Sequence, residues 1–412
     1  MKRRSTRKPL GWESLEERRV MDVGFGLDVA TGVLSLEGNG ENDSVFISQP
    51  TTGVVRVQTL NGTEFEGGGT LRQFNASQVD RINVNLGTGL NTLSVGTIRN
   101  IEDLGVDSPF QGGRTNVFLN GSDFTGSVSV RTSDLSETIQ IRNSDIDQLS
   151  INSRGGHDNV LIDNVRTNGQ VSVITESGRD VVTVEDSNIG TTTGSRDRPL
   201  TINTGDDQDQ VAVVRTNVNH EMNVNLGGGP IENSVRQSLT VSDSTTDRAM
   251  NLSTTGGGAF VTVINSDVGT ASGVWDLNVN TSSGWDQVNI TNVDVDDDLR
   301  ISTNGGVDTI DINNVKVGDD VSIAGGEQSD TIDLYGVDAD DIYLYGQGST
   351  DTMILRNVKV TDYLYANLGS GNDTFRANGG ITFGRASING DSGTNDDFEG
   401  WLGGASVYGF ER

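Results

Sequence analysis

The chain has 412 residues, of which 54 are glycine, 5 are proline and none is cysteine. The lack of cysteine excludes disulfides, thiolate metal centres and cysteine nucleophiles, and two histidines are too few for a histidine-rich zinc or copper site. Acidic residues outnumber basic ones by 58 to 29, and the net charge of −29 disfavours nucleic acid and anionic membranes as partners. No apolar run approaches the roughly 18 residues of a transmembrane helix, so no membrane span is expected.

The first predicted segment, residues 1–25, is a basic and disordered tail. Residues 1–20 contain seven Lys or Arg and three acids, an asymmetry typical of targeting or processed segments. The stretch from Leu15 to Met21 (LEERRVM) resembles the LExR segment near the start of many planctomycete exported and surface proteins. That resemblance implies an extracellular or cell-surface location, and the alternative is a tail without a targeting role.

Residues 26–105 are predicted to form an N-terminal β cap and the first irregular coils. Segments 32–36, 43–47 and 54–57 alternate apolar and polar residues as antiparallel or irregular strands do. A cap is expected because the open end of a stack of strands exposes unpaired backbone groups. Residues 381–412, with Trp401, Tyr408 and Phe410, are expected to close the other end.

A short unit recurs through residues 106–380: an apolar pair, a Gly-rich turn, an aspartate, a second apolar pair and an asparagine. The aspartate defines the origin of each repeat, and most consecutive origins lie 21 or 22 residues apart. Insertions lengthen the spacing between Asp180 and Asp286, where Asn233 and Ala259 are expected at the origin. The other origins are Asn91, Thr115 and Glu137, followed by Asp158, Asp180, Asp209, Asp286, Asp308, Asp330, Asp351 and Asp373.

Apolar pairs flank each origin at alternating positions. One pair begins nine residues before the origin, as in Leu299 and Ile301, and a second begins two residues after it, as in Ile310 and Ile312. Alternation with period 2 in short β-branched segments is typical of half-buried strands, and no helical period accompanies it. The repeat therefore predicts strands and excludes helix.

A 22-residue unit with three short strands predicts one coil of a parallel β-helix, because stacking buries the apolar pairs in continuous columns. We expect an all-β, right-handed parallel β-helix with roughly twelve coils between residues 106 and 380. An asparagine six residues after the origin is expected to turn inward and form a ladder that satisfies corner amides. Such a ladder resembles those of pectate-lyase-type right-handed β-helices. Its members are Asn143, Asn164, Asn265, Asn292, Asn314 and Asn357.

The origin aspartates lie in Gly-rich turns. The turn 369–373 (GSGND) is similar to the GxGxD core of hemolysin-type (RTX) calcium-binding repeats. That family uses a much shorter repeat, so its full ligand set does not carry over to this chain. Two interpretations stay open: calcium binding at Asp373, or an Asx-type turn in which the carboxylate accepts backbone N–H bonds.

Aspartates also recur at the two positions that precede the first strand of a coil. Stacking places the members of each column about 4.8 Å apart, where like charges repel unless they point into water or share a cation. Oxygen ligands suit calcium, so a calcium-bridged edge and a solvated acidic face both stay open. With Asp373, the candidate calcium ligands are Asp276, Asp297, Asp298, Asp319, Asp320, Asp340, Asp341 and Asp362.

A tyrosine cluster is the candidate ligand-binding patch. Tyr343 and Tyr365 are expected to share one outward column, flanked by Tyr345 and Tyr363. Such a patch can stack on a glycan, and the alternative is a set of cross-strand aromatic pairs that only stabilise the sheet.

Polysaccharide lyases and glycoside hydrolases also use this fold. A lyase needs a basic proton abstractor beside a cation site, and a hydrolase needs paired carboxylates. Here the carboxylates are periodic and basic residues such as Arg300, Lys316, Arg356 and Lys359 are scattered, so no catalytic residue is assigned. A groove that holds one Arg or Lys beside two carboxylates would favour an enzyme.

The sequence thus favours a non-enzymatic extracellular structural or adhesive protein that binds a surface glycan or an extracellular protein. Calcium is the one cofactor that the acidic columns suit. The alternative is a polysaccharide lyase or glycoside hydrolase of the same fold.

Overall fold

The computed structural model describes residues 22–108, 112–191, 198–229 and 236–410. These residues form a parallel β-solenoid of about 14 turns, and roughly 60% of the chain lies in strands. The one helix within the described ranges is a single 3-10 turn at Ala76–Gln78. The export-like stretch Leu15–Met21 and the predicted origin Asn233 lie outside the described residues.

The described residues form 39 strands, most of them four to nine residues long. In chain order they are β1 (Asp22–Asp28), β2 (Val33–Glu37), β3 (Ser44–Thr51), β4 (Val54–Thr59), β5 (Glu64–Phe65), β6 (Leu71–Asn75), β7 (Arg81–Asn85), β8 (Gly89–Gly96), β9 (Asp103–Asp107), β10 (Gly113–Asn120), β11 (Asp123–Arg131), β12 (Thr138–Asn152), β13 (Asn159–Thr167), β14 (Val171–Ile174), β15 (Val181–Glu185), β16 (Asn188–Ile189), β17 (Leu200–Asn203), β18 (Gln210–Val214), β19 (Asn217–Val218), β20 (Met222–Asn225), β21 (Gln237–Ser242), β22 (Thr245–Thr246), β23 (Met250–Ser253), β24 (Ala259–Val268), β25 (Leu277–Asn280), β26 (Gln287–Val295), β27 (Leu299–Ser302), β28 (Thr309–Val317), β29 (Asp320–Glu327), β30 (Thr331–Tyr335), β31 (Asp338–Ala339), β32 (Asp341–Gly348), β33 (Thr352–Arg356), β34 (Lys359–Val360), β35 (Tyr363–Asn367), β36 (Thr374–Ala377), β37 (Arg385–Asn389), β38 (Asp397–Gly400) and β39 (Ser406–Tyr408).

Equivalent strands of successive turns pair in parallel and build three sheets. Sheet 1 contains β2, β7, β9, β11, the end of β12, β14, β17, β20, β23, β25, β27, β29, β32, β35, β37 and β39. Sheet 2 contains β3, β8, β10, the start of β12 and of β13, β15, β18, β21, β24, β26, β28, β30, β33, β36 and β38. Sheet 3 is narrower and contains β16, β19, β22, β31, β34 and short pieces of the long strands, such as the end of β26.

The predicted apolar pairs form the core. Leu299 and Ile301 on sheet 1, and Ile310 and Ile312 on sheet 2, are at most 3% exposed. Each pairs with the equivalent apolar residue one turn later, as Leu299 does with Val321. Because successive side chains of a strand point to opposite faces, the residue between the two members of each apolar pair faces outward. The predicted β-helix and its period of about 22 residues are therefore confirmed.

Regular turns begin earlier than residue 106. Strands β2, β7 and β9 pair in parallel as the first members of sheet 1, and β3 and β8 begin sheet 2. Within the described ranges, antiparallel pairing occurs only near the start, where β1 lies beside β2 and the strands β4 and β6 extend β3. These early turns raise the total from the expected twelve to about 14.

The last turn is packed by phenylalanines. Phe398 stacks on Phe375 with ring centroids 5.7 Å apart, and Phe410 packs edge-on against Phe398 at 5.6 Å. Trp401, which was expected to help close this end, is 84% exposed.

One origin differs from the sequence prediction. Gln237 pairs with Ala259 in sheet 2 and therefore occupies the origin that was assigned to Asn233. The connection between the end of β20 at Asn225 and Gln237 is longer than the equivalent connections in other turns. A prediction based on the usual spacing therefore placed the origin four residues too early.

The predicted asparagine ladder is present, and its side chains lie on the outside of a corner. Asn164 donates to Asn143 Oδ1 at 2.8 Å, and Asn314 donates to Asn292 Oδ1 at 2.8 Å. All six predicted members have a left-handed φ near 50° and are exposed, which differs from the expected inward orientation. Asparagine tolerates this conformation better than most residues. Gly336, with φ 65°, takes the corner between Asn314 and Asn357 and interrupts the ladder.

The inner side of the same corner carries hydroxyls. Ser144 Oγ accepts the backbone N–H of Ser122 at 3.2 Å, and Ser266 Oγ accepts that of Ser244 at 3.2 Å. These buried hydroxyls satisfy the backbone amides that the inward asparagines were expected to satisfy.

Candidate functional site

The origin aspartates form a ladder inside the solenoid, which Gln237 and Ala259 interrupt between Asp209 and Asp286. Each Oδ1 accepts the backbone N–H of the origin residue in the preceding turn, with N–O distances of 2.6–2.9 Å. The side chains are at most 3% exposed. The members of this aspartate ladder are Asp158, Asp180, Asp209, Asp286, Asp308, Asp330, Asp351, Asp373 and Asp396.

Two natural amides show what the ladder side chains face. Asn91 occupies an equivalent position, and its Nδ2 donates to the carbonyls of Leu86 and Gly87 in the Gly-rich turn at 3.3 and 3.1 Å. Gln237 Nε2 donates in the same way to Gly227 O at 3.1 Å. A protonated carboxyl can donate to such carbonyls, whereas an ionised one can only accept.

The aspartates face the same kind of turn. Among the described residues, the second carboxylate oxygens of Asp330, Asp351 and Asp373 are buried without a hydrogen-bond partner. Burial is the main cause that raises their pKa, to about 7 for Asp330, about 8 for Asp351 and about 6 for Asp373. Geometry and burial thus both favour the protonated form.

Asp373, a predicted calcium ligand, belongs to this interior ladder. Its Oδ1 accepts the N–H of Asp351 at 2.8 Å, as the Asx-type alternative anticipates. It therefore lies inside a corner, away from the other eight candidates. The sequence prediction missed Asp396, whose only signal is its position 23 residues after Asp373.

The outer acidic columns lie at the edge of sheet 1. Ligand oxygens of Asp276, Asp297 and Asp298 lie within 4.8 Å of one another. Burial, followed by the charges of Asp298 and Asp276, raises the pKa of Asp297 to about 6. Three of the predicted calcium ligands are thus brought together.

Among the described residues, the other members of the columns do not form a second group of three close carboxylates. Asp298 Oδ1 accepts the N–H of Asp320 at 2.8 Å, and Asp341 Oδ1 accepts that of Tyr363 at 2.8 Å. Asp362 pairs with Arg385 at 3.0 Å. Asp319 and Asp340 follow one another in the backbone ladder, with Asp340 N donating to Asp319 O at 2.8 Å.

Arg300 stands beside this cluster on the outer face of sheet 1. Its two terminal nitrogens contact Asp276 and Asp298, one carboxylate each. Such a forked arrangement fixes the guanidinium in one orientation. The sequence prediction counted Arg300 among scattered basic residues, because nothing in the repeat marks it as the partner of two carboxylates.

The four tyrosines form one cluster on the same face. Tyr343 pairs with Tyr365 in the sheet, as predicted. Ring centroids are 6.3 Å apart for Tyr343 and Tyr363, 5.8 Å for Tyr345 and Tyr365, and 6.1 Å for Tyr363 and Tyr365. Tyr343 donates its hydroxyl to Asp341 Oδ2 at 2.7 Å, and this bond is the main cause that raises the tyrosine pKa to about 12.

A groove of about 260 Å³ joins the arginine, the acids and the tyrosines. It is lined by Asp298, Arg300, Asp320, Ser322, Tyr343 and Tyr345, which lie on or beside β27, β29 and β32. We call this region the tyrosine groove. It offers flat aromatic faces, hydrogen-bond acceptors and one guanidinium within a single surface depression. The groove thus brings aromatic, acidic and guanidinium groups together on one open surface.

Within the described residues, no helix has the length and apolar character needed to cross a bilayer. Comparison with protein-family models, curated proteins and solved structures gave no match to this chain.

Proposed function

We propose that the protein is an extracellular or cell-surface structural or adhesive solenoid that binds a surface glycan through the tyrosine groove. The observation that carries the proposal is the position of the groove. Four clustered tyrosines lie on two adjacent strands of sheet 1, β32 and β35, whereas the outward residues of its strands from β14 to β25 are mostly Ser, Thr and Asn. The location rests on the LExR-like stretch Leu15–Met21.

The chemistry of the groove suits sugars. Aromatic rings offer large, rigid apolar faces on which the C–H face of a pyranose can pack. Carboxylates and a guanidinium beside those rings provide acceptors and donors for hydroxyl groups. An extracellular protein remains the other partner class, because tyrosine and arginine are also enriched at protein interfaces.

The test of this proposal is binding by the full chain to a panel of immobilised polysaccharides. The variants Tyr343→Ala and Tyr365→Ala should each weaken retention by about ten-fold, equivalent to about 1.4 kcal/mol. Tyr335→Ala is the matched control, because Tyr335 is an exposed tyrosine on sheet 2. Equal retention of all three variants and the wild type, or no retention on any glycan, would contradict the proposal.

We also propose that calcium binds at Asp276, Asp297 and Asp298 and stiffens this part of the solenoid. The support is their mutual approach to within 4.8 Å together with the preference of calcium for carboxylate oxygens. A ligand that binds only the folded state raises its stability. Millimolar calcium should therefore raise the melting temperature of the wild type by several degrees, and magnesium should not.

The matched variants for calcium are Asp297→Asn and Asp145→Asn. Asp297 belongs to the cluster, whereas Asp145 is an exposed aspartate on sheet 3. Loss of the calcium-specific shift in the first variant and its retention in the second are expected. Equal effects of calcium and magnesium on the wild type would contradict a calcium site, and Arg300 would remain the observed partner of Asp276 and Asp298.

The second candidate is a polysaccharide lyase or glycoside hydrolase. The observation in its favour is Arg300, a single arginine between two carboxylates in a groove. Its guanidinium nitrogens are already engaged with Asp276 and Asp298, which favours a positioning role over proton abstraction. Release of reducing ends or unsaturated products from a bound polysaccharide, abolished in Arg300→Ala, would establish the enzyme in place of the adhesive protein.

A further inference from the structure

Sheet 1 carries an uncharged strip along much of its outer face. The strip consists of the outward residues on six consecutive strands, from the end of β12 to β25. None of these outward residues, all within the described ranges, is charged. They are Ser150, Asn152, Ser172, Ile174, Thr201, Asn203, Asn223, Asn225, Asn251, Ser253, Asn278 and Asn280.

The other two sheets differ over the same turns. The outward positions of sheet 2 include Arg142, Asp163 and Glu185. In sheet 3 they include Arg166 and Asp267. In a protein with 21% charged residues and a net charge of −29, an uncharged face is a specific property of sheet 1.

Amide groups of the strip form a ladder of their own. Asn251 Nδ2 donates to Asn223 Oδ1 at 2.8 Å, and Asn278 Nδ2 donates to Asn251 Oδ1 at 2.9 Å. Asn251 and Asn278 each use one of two N–H groups in a ladder bond, which leaves a second N–H group that can donate to a ligand.

A groove lies at each end of the strip. The tyrosine groove begins at Arg300 on β27, directly after β25. A second groove of about 410 Å³ lies at the other end, where Gly105 leaves a gap in the outward column between Asn83 and Ser129. We call it the glycine groove. Ten strand spacings separate Gly105 from Tyr343, which corresponds to about 48 Å.

From this arrangement we infer that the ligand is a neutral, hydroxyl-rich polysaccharide that lies along the solenoid axis on sheet 1, from the tyrosine groove across the strip to the glycine groove. The inference rests on the proposed function and specifies its ligand. Hydroxyls and amides of the strip pair with sugar hydroxyls, while the net charge of −29 repels polyanions from the whole molecule. A cationic polymer would be attracted by the net negative charge of the whole molecule, without selection for sheet 1.

The first test uses the full chain and neutral oligoglucans of increasing length. If several subsites share one chain, affinity should rise by about ten-fold or more between oligomers that fill only the tyrosine groove and oligomers that span the strip. Polygalacturonate is the anionic comparison and should bind at least about ten-fold more weakly than the neutral polymer. Tighter binding of polygalacturonate would overturn the inference.

The second test places a charge in the strip. Ser150→Lys and Ser172→Lys should weaken binding of the long oligoglucan by about five-fold while leaving the shortest bound oligomer unaffected. Thr183→Lys is the matched control, because Thr183 is an outward residue of sheet 2 on the strand β15. Circular dichroism melting of each variant identifies any that fails to fold, and the second strip variant then carries the test.

The two failures are distinguishable. Affinity that does not depend on length and does not respond to either strip variant, together with loss of binding in Tyr343→Ala, would overturn the extended ligand and keep the proposed glycan site. Binding that survives Tyr343→Ala and Tyr365→Ala would overturn the proposed function itself.

Discussion

At the scale of single residues, the buried carboxyl groups of the aspartate ladder make hydrogen bonds to the backbone instead of to water. One oxygen of each side chain accepts a backbone N–H of the neighbouring turn, and the other faces a Gly-rich turn. Asn91 and Gln237 solve the same problem with neutral amides. The interior position thus favours neutral donors and acceptors, and burial raises the pKa of Asp330 and Asp351 toward the protonated form.

This protonation predicts an unusual dependence of stability on pH. The folded pKa values of Asp330 and Asp351, about 7 and about 8, lie above the ordinary value of 3.8. The folded state then binds more protons than the unfolded state between these values, so the free energy of unfolding falls as pH rises from about 4 to about 8. The melting temperature should be higher near pH 5 than near pH 8.

An isosteric amide tests the cause. Asp351→Asn keeps the Oδ1 acceptor and adds donors that need no proton, so its melting temperature should depend less on pH than that of the wild type. Asp145→Asn, at an exposed position on sheet 3, should leave the slope unchanged. A melting temperature that rises with pH over this range would contradict protonated ladder aspartates.

The tight packing of the Gly-rich turn gives a second prediction, on the effect of replacing its glycines by alanine. A Cβ on Gly346 would overlap Leu368 O and the second oxygen of Asp351, whereas a Cβ on Gly305 would meet nothing within 4 Å. Gly346→Ala should lower the free energy of unfolding by about 1–3 kcal/mol, as overpacking does, and Gly305→Ala should change it by less than about 0.5 kcal/mol. Denaturant unfolding measures both. Equal effects would show that the turn moves aside.

At the scale of elements, the corner between sheets 2 and 3 combines an outer asparagine ladder with inner hydroxyls. Asn292 donates to Asn265 Oδ1 at 3.0 Å and has φ 53°, so its side chain and its backbone conformation both contribute. The strand that enters the corner continues on its far side, as β26 does from Gln287 to Val295. The corner is thus a bend within one long strand and not a loop that connects two separate strands.

Two substitutions separate the contributions at this corner. Asn292→Ala loses the amide bonds and places alanine at a left-handed φ, which should cost about 2 kcal/mol in total. Asn292→Gly loses the same bonds without the backbone strain and should cost about 1 kcal/mol. Denaturant unfolding of the two variants gives the difference. A larger loss for glycine than for alanine would contradict the role of the left-handed conformation.

The strands could be predicted from the sequence because their apolar pairs repeat in register, as Leu299 and Ile310 show. The register between Asp209 and Ala259 could not be predicted in this way. The turn length varies there, and the apolar pattern of the strands carries no information on the number of residues in a turn. The outward direction of the asparagine side chains also escaped prediction. Spacing places Asn143 at a corner, but only its φ of 49° decides which way the side chain points.

At the scale of the whole molecule, each turn packs only on its neighbours, so local changes remain local. The outer faces of the three sheets are then free to differ in composition while the core columns stay the same. Sheet 1 uses this freedom to present two grooves and an uncharged strip, and sheets 2 and 3 carry charges over the same turns. The tyrosine positions could be predicted from spacing. The fork of Arg300 on two aspartates could not, because it depends on side-chain direction.

Binding of a glycan by sheet 1 at the tyrosine groove can be measured by hydroxyl-radical footprinting of the full chain with and without a bound neutral glucan. Oxidation of Tyr343, Tyr345 and Tyr365 should fall when the glucan is present, because the ligand covers their rings. Oxidation of Tyr335, an exposed tyrosine on sheet 2, should stay the same. Protection of Tyr335 with no change at the groove, or no protection anywhere under saturating ligand, would show that the tyrosine groove does not bind the glucan.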